Sequence, residues 1–300
     1  HVVYRVYPTG TRAGEIIRDL GKLIDDEIPV NLSGVEDGDS LLSPWEIENQ
    51  KALDIMKSVA KGTNYWLRMK PCLSYLAFNG ENAYVEAPNF VTQKPFTLMV
   101  RAKIDELATM GLFDSRDKAY NVGGKGLAVI DKNGNGRFSV GLGDGSNFDW
   151  LENVIDLSDL EEHTIIITCS PTTLSVYIDG QLAGTLDVSA MADSPLDAAT
   201  ELLIGLNFGH TQYFAGKLYY LAYWNEEITD IDALMSNSQS PPTSNLVCWL
   251  NFNEGSGSIV YDRSGNDNHG TIYGEAAWGY EVYPKMVNSL LLEFRPKVVT

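Results

Sequence analysis

From Cys72 onward the chain is cut into short apolar–polar runs separated by Gly, Asn and Asp. That rhythm leaves room for little except antiparallel strands. It predicts strands over Tyr84–Glu86, Phe96–Ile104, Gly126–Asp131, Arg137–Leu142, His163–Ser170, Leu174–Ile178, Leu202–Leu206 and Gly216–Trp224. Leu246–Phe252, Ser258–Tyr261 and Ser289–Phe294 continue the pattern. Asp179-Gly180, flanked by alternating residues, is a two-residue hairpin signal, and Asn133-Gly134-Asn135-Gly136 marks a second turn. One helical signal interrupts the strands, a turn capped by Thr229 and containing Ile231, Leu234 and Met235. The fold class is therefore mainly β, an antiparallel sandwich whose core would include Trp224, Trp249 and Trp278.

The first seventy-odd residues read differently, as a small α+β unit. Val2–Tyr7 alternates like a strand, and Arg12–Ile24 places Ile16, Ile17, Leu20, Leu23 and Ile24 at helical spacing. Ser43-Pro44-Trp45-Glu46 has the form of a helix start, with Leu53, Met56 and Ala60 as its inner face and Gly62 as its stop. A strand is expected from Tyr65. The domain division expected is 1–75, then a sandwich over 76–283, then a terminal strand or linker over 284–300. The chain is also expected to continue upstream of His1.

A net charge of −18 argues against a nucleic-acid partner, which would want a basic face, and no apolar run is long enough to insert into a bilayer. Cys72, Cys169 and Cys248 cannot all pair within one chain, and their apolar settings suggest buried free thiols.

The segments FNGENAYVEAP (Phe78–Pro88), FTLMVRAKI (Phe96–Ile104), TLSVYIDGQLAG (Thr173–Gly184) and FAGKLYYLAYWNEEITDIDAL (Phe214–Leu234) resemble, in order, the concanavalin A-like jelly roll in its laminin G-like branch. LVCWLNFNEGSGSIVYDRSGNDNHGTIYG (Leu246–Gly274) resembles a phrase that typically precedes the others in that family. Here it follows them, as a permuted strand pair closing the same sandwich or as the start of a second repeat. The N-terminal TGTRAGEIIRDLGKLID and ALDIMKSVAKGTNYWLRMKPCLSYLAF resemble a segment of siphophage and prophage tail-tip and baseplate-hub proteins.

Glucan hydrolases of the concanavalin A-like superfamily usually carry Glu-x-Asp-x-x-Glu on one strand, because period two aims the carboxylates into one cleft. No such triplet occurs in this chain, and its histidines lie in no nucleophile context, so no catalytic residues are expected. Sugar binding calls for an aromatic face beside hydrogen-bonding groups. Asn147, Phe148, Asp149 and Trp150 in one expected loop, and Asn207, His210, Gln212 and Tyr213 in another, supply both. Capping of the core explains the same aromatics. Asp131, Asn133 and Asn135 match the start of a calcium loop, although Leu142 stands where its bidentate acid belongs. The resemblance implies a calcium ion elsewhere on the sandwich rim, where Asp114, Asp144, Asp149, Asn207 and Asp262 are loop oxygens that would serve.

These residues together point to a non-catalytic module that recognises a cell-surface glycan. The N-terminal resemblance places it in a phage tail, among other tail subunits and as a homo-oligomer, located in the virion or at a cell surface. A purely structural decoration protein, or the binding part of an extracellular glycan-degrading enzyme, are the alternatives.

Overall fold

The computed structural model describes residues 2–7, 11–25, 30–31, 35, 45–51, 56, 59, 65–116, 124–193, 201–236, 241–281 and 289–296. The chain forms two compact units, residues 1–74, 253–257 and 278–300 in one, residues 75–252 and 258–277 in the other.

In the smaller unit β1 (Val2–Tyr7) is followed by α1 (Ala13–Asp25), β2 (Val30–Asn31) and β3 (Trp45–Lys51). β4 (Tyr65–Asn79) gives its first ten residues to this unit and its last five to the larger one. The periodicity of α1 buries Ile16, Ile17 and Leu20 completely. Its start is capped by Glu15, whose carboxylate accepts the Arg12 N–H at 2.9 Å. The helix expected from Ser43 is not what forms over Trp45–Lys51. That stretch is a strand, because β1 offers it an antiparallel partner from Tyr7↔Trp45 to Val2↔Lys51, and the pairing overrides a local start signal. Met56 and Val59 are helical and buried; Ser43, Pro44, Leu53, Ala60 and Gly62 lie outside the described residues. At the end of the chain β20 (Ser289–Pro296) pairs antiparallel with β4 and parallel with β2.

The larger unit is the sandwich. One sheet is formed by β5 (Tyr84–Pro88), β7 (Met110–Asp114), β8 (Lys125–Asp131), β9 (Arg137–Asp144), β10 (Phe148–Asp156), β14 (Glu201–Ile204), β17 (Ile259–Val260) and β18 (Gly270–Tyr273), in the order β10-β9-β8-β7-β14-β5-β18-β17. Facing it are β6 (Phe96–Ile104), β11 (Glu162–Cys169), β12 (Thr173–Ile178), β13 (Gln181–Asp187), β15 (Ala215–Trp224) and β16 (Leu246–Leu250). β16 pairs with β15, and β18 with β5, so strands from both ends of Leu246–Gly274 lie in the sandwich sheets. β19 (Ala277–Glu281) follows.

β15 is buried along nearly its whole length because both its faces are covered. Leu221 and Tyr223 turn to the interior, where Tyr223 stacks on Phe96 at 5.7 Å. Tyr220, Ala222 and Trp224 turn outward under α2 (Ile231–Ser236), with Met99, Ile166 and Leu246 beside them. The cap of α2 is Asp230, whose carboxylate accepts the Ala233 N–H, rather than Thr229. Trp224 is fully buried; Trp249 is half-buried against the same cluster, and Trp278 is half-exposed, so the third expected core tryptophan is not a core residue. Cys169 and Cys248 are buried free thiols, and burial pushes the Cys169 thiol up to about 12; the Cys72 side chain lies outside the described residues. Among the described residues no helix is long and apolar enough to cross a membrane.

Candidate functional site

Cross-strand partners share a face of a sheet. The registers therefore define a row across the outer face of the β10–β17 sheet: Trp150, Gly141, Ala128, Asp114, Leu203, Glu86, Thr271 and Ile259. Neighbouring positions Val85, Phe113, Val129 and Val140 point the other way, into the core. The row begins on a floor of small residues. A Cβ on Gly141 would lie 2.7 Å from the Trp150 ring and 2.8 Å from the Phe148 ring, and one on Gly143 would lie 2.4 Å from Phe148. Glycine is what lets both rings lie on β9.

Arg116 gathers this end of the face. Its guanidinium grips Asp114 with two bonds, Nε to Oδ1 at 2.9 Å and a terminal nitrogen to Oδ2 at 2.6 Å. Its carbon also lies 5.5–5.9 Å from the ring centres of Phe148, Trp150 and Phe208. Asp114 accepts the Phe208 N–H as well, at 3.0 Å, which ties the loop after β14 to the cluster. Lys132 covers the Trp150 ring at 3.4 Å and pairs with Glu152 at 2.9 Å. That lysine holds the Glu152 carboxyl below its usual range; burial opposes the effect and the Ser139 hydroxyl adds to it. Both cations thus come with their own carboxylates.

The loop Asn207–Phe214 is organised from within. Buried Asn207 accepts the N–H groups of Thr211 and Gln212 and donates to the Gln212 side chain at 3.0 Å. The loop lies over β7, where a Cβ on Gly111 would come within 2.4 Å of the Asn207 nitrogen. Its far side carries His210 and Tyr213 to Tyr84, with ring centres 6.1 and 6.4 Å away, and Tyr84 stacks on Tyr273 at 5.0 Å. Burial, and then Glu86, raise the Tyr84 phenol above its ordinary value, so it remains a protonated donor at neutral pH.

Three of the acids read from sequence as calcium oxygens serve turns. Asp131 is fully buried and accepts the N–H groups of Asn133, Gly134 and Gly136. Asn135 accepts that of Arg137, and the Asn133 amide bonds to Asn153. Asp144 accepts those of Ser146, Asn147 and Ala192. Burial works against its ionisation, but these donors outweigh it and hold the carboxyl at about 2. Asp262 accepts from Trp249, Ser264 and Asn268. Among the described residues no three His, Cys, Asp or Glu side chains converge as metal ligands. Asp114 faces a guanidinium and Asp131, Asp144 and Asp262 lie in separate turns, so these four carboxylates do not converge on one ion.

The larger part of this sandwich matches a family model. Residues 79–232 fit the Laminin G-like family of the concanavalin A-like lectin/glucanases superfamily. The chain belongs to that superfamily. No curated protein matches it. Among solved structures, a protein of Bacteroides ovatus ATCC 8483, named as a candidate carbohydrate-binding protein, is 12% identical with a TM-score of 0.52, over 94% of this chain and 87% of that one. A heptameric SAP-like pentraxin of Limulus polyphemus is 17% identical with a TM-score of 0.45, over 69% and 94% of the two chains. Mouse laminin α1 domains LG4-5 are 16% identical with a TM-score of 0.42, over 53% and 44%.

On this lectin-like scaffold the two expected aromatic loops meet on one sheet face, with a difference. Phe148 to Asn153 belong to β10, not to a loop, because β9 supplies partners from Phe148↔Gly143 to Asp156↔Arg137. Strand alternation then sends Asp149 to the side opposite Phe148 and Trp150. Asn147 is an exposed turn residue bonded to the Ala190 carbonyl. Arg116, Lys132, Tyr84 and Tyr273 were not foreseen; of these only Tyr84, alternating in Tyr-Val-Glu-Ala, carries a local signal.

His163 lies elsewhere, between Asp179 at 2.7 Å and Asp159 at 3.0 Å, and makes no nucleophile pair. Burial lowers its pKa, but the two carboxylates win and raise it. A raised folded-state value means the stabilisation is full below the unfolded value near 6.5 and is lost as pH rises through the folded one. His163→Gln is therefore expected to destabilise the protein at pH 6 and to approach wild type at alkaline pH, read by urea unfolding across pH. A deficit that stays constant across this window would mean that the imidazole acts by packing alone.

Proposed function

We propose that this protein is a non-catalytic carbohydrate-binding module whose ligand lies on the outer face of the β10–β17 sheet. The observation that carries the reading is the convergence of Phe148, Trp150 and Phe208 on Arg116, above a floor of glycine and alanine. Half-buried rings in contact with guanidinium, ammonium and carboxylate groups match the two sides of a pyranose, one apolar and one hydroxylated. The superfamily also holds glucanases, and the missing Glu-x-Asp-x-x-Glu triplet weighs for binding over hydrolysis. In this reading the N-terminal unit anchors the module in a larger assembly, a phage tail with copies of this chain and other subunits around it, displayed in the virion toward a host surface glycan.

The test is binding of the intact chain to a broad panel of microbial surface glycans, with calcium and with a chelator. Saturable binding is expected in both conditions, weakened at least tenfold, or about 1.4 kcal/mol, in Trp150→Ala. Absence of binding to every glycan would sink the reading and favour structural decoration.

A further inference from the structure

The aromatic face has two stations. One is the Arg116 cluster over β8 and β9. The other is Tyr84 and Tyr273, stacked on adjacent strands β5 and β18, with His210 and Tyr213 leaning on them. The second is the more open: Tyr273 is 41% exposed, and His210 is exposed. Both stations lie on the same side of the sheet, since Tyr84 and Tyr273 pair with one another two positions along from Glu86 and Thr271 in the outward row. From β9 to β5 there are four strand steps, β9-β8-β7-β14-β5, which at about 4.8 Å each come to roughly 20 Å. A single sugar ring cannot span that distance; a chain of several can. The Asn207–Phe214 loop touches both stations, with Phe208 on the first and His210 and Tyr213 on the second.

The charges along the path constrain the chain. Arg116 and Lys132 are each paired with a carboxylate, Glu86 stands on β5 beside the second station, and the protein carries −18 overall. A polyanion would meet an unfavourable field along this face.

We infer that the ligand is an uncharged polysaccharide running across the strand direction over the Asn207–Phe214 loop, held at Tyr84–Tyr273 as well as at the Arg116 cluster. This rests on the carbohydrate-binding reading and adds to it the class of glycan and a second subsite. The ligand is recognised along its length, not by a terminal residue. Binding should rise steeply with length and then level off once both stations are covered, a consequence of effective concentration at the second station.

The experiment measures affinity for neutral glucans, mannans and galactans, each as polymer and as di- to octasaccharide fragments, alongside a uronic-acid polymer. Wild type is expected to prefer the longer neutral chains, with little dependence on salt. Tyr273→Ala and His210→Ala, both at exposed positions, should weaken the polymer about tenfold and remove most of the gain in affinity with chain length. Unchanged thermal unfolding of each variant confirms an intact fold. Equal affinity for short and long chains, preference for the uronic-acid polymer, or no effect of either substitution would overturn the two-station inference while leaving glycan binding in place. No binding to any glycan by wild type would overturn both.

Discussion

Replacing Trp224 by Ala is expected to lower the unfolding free energy by about 3–5 kcal/mol, among the largest effects of any single truncation in the sandwich. The indole is fully buried on the outward side of β15, packed with Met99, Ile166, Ile231, Leu234 and Leu246, and its N–H donates to the Pro242 carbonyl at 2.8 Å. Truncation opens a cavity that β15, held between β6 and β16, cannot collapse, and it removes the hydrogen bond to Pro242. The informative form of the measurement is a cycle with Leu246→Ala, worth about 2–5 kcal/mol alone. Leu246 comes from the segment whose place in the fold is unusual for the resemblance that identifies it, whereas Trp224 lies inside the stretch matched by the family model. If the two share one core, the double variant loses less than the sum of the singles, by about 0.5–3 kcal/mol in urea unfolding. Strict additivity would mean that β16 does not share that core.

That fold was readable because its signals are local and repeated. Asp179-Gly180 shows why: both residues adopt positive φ, 50° and 82°, as a two-residue turn between right-twisted strands requires, so a dipeptide suffices to place a hairpin. β10 escaped for the opposite reason. Its Asn, Asp and Glu residues look like a loop, and only the free edge of β9 makes them a strand. Trp45–Lys51 was misread in the same way, with β1 as the deciding partner. The candidate site is less legible still. Arg116 has no periodicity or motif to mark it; its significance comes from rings supplied by β10 and by the loop after β14, brought over it by sheet order. Asp131 and Asp144 show the limit of composition, since an Asp that accepts turn N–H groups has the same neighbours in sequence as one that binds calcium.

The second large effect concerns Lys94. Its side chain is wholly buried, and its ammonium donates to the carbonyls of Pro171, Val188 and Met191 at 2.7, 3.0 and 2.9 Å. Asp193, at 3.4 Å, is a mostly exposed counter-ion, so the carbonyls do much of the solvation that water would otherwise provide. Lys94→Met keeps the stem and removes the charge, leaving three carbonyls facing a methyl group. A loss of about 3–5 kcal/mol is expected, since each buried carbonyl left without its donor costs about 1–3 kcal/mol. The consequence should extend to the candidate site. The segment held by Lys94 is tied on its other side to the β9–β10 turn, through Ala192 N–H to Asp144 and the Asn147 amide to the Ala190 carbonyl. Four residues beyond Asn147's predecessor Ser146 stands Trp150, on the strand that this turn starts. Releasing the segment should therefore shift the Trp150 indole resonance in a ¹H–¹⁵N spectrum and weaken glycan binding, even where the variant remains folded. A stability loss below about 1 kcal/mol would show that water replaces the ammonium at little cost. A large loss with an unmoved Trp150 signal would confine Lys94 to the rim and separate the stability of the sandwich from the shape of its aromatic face.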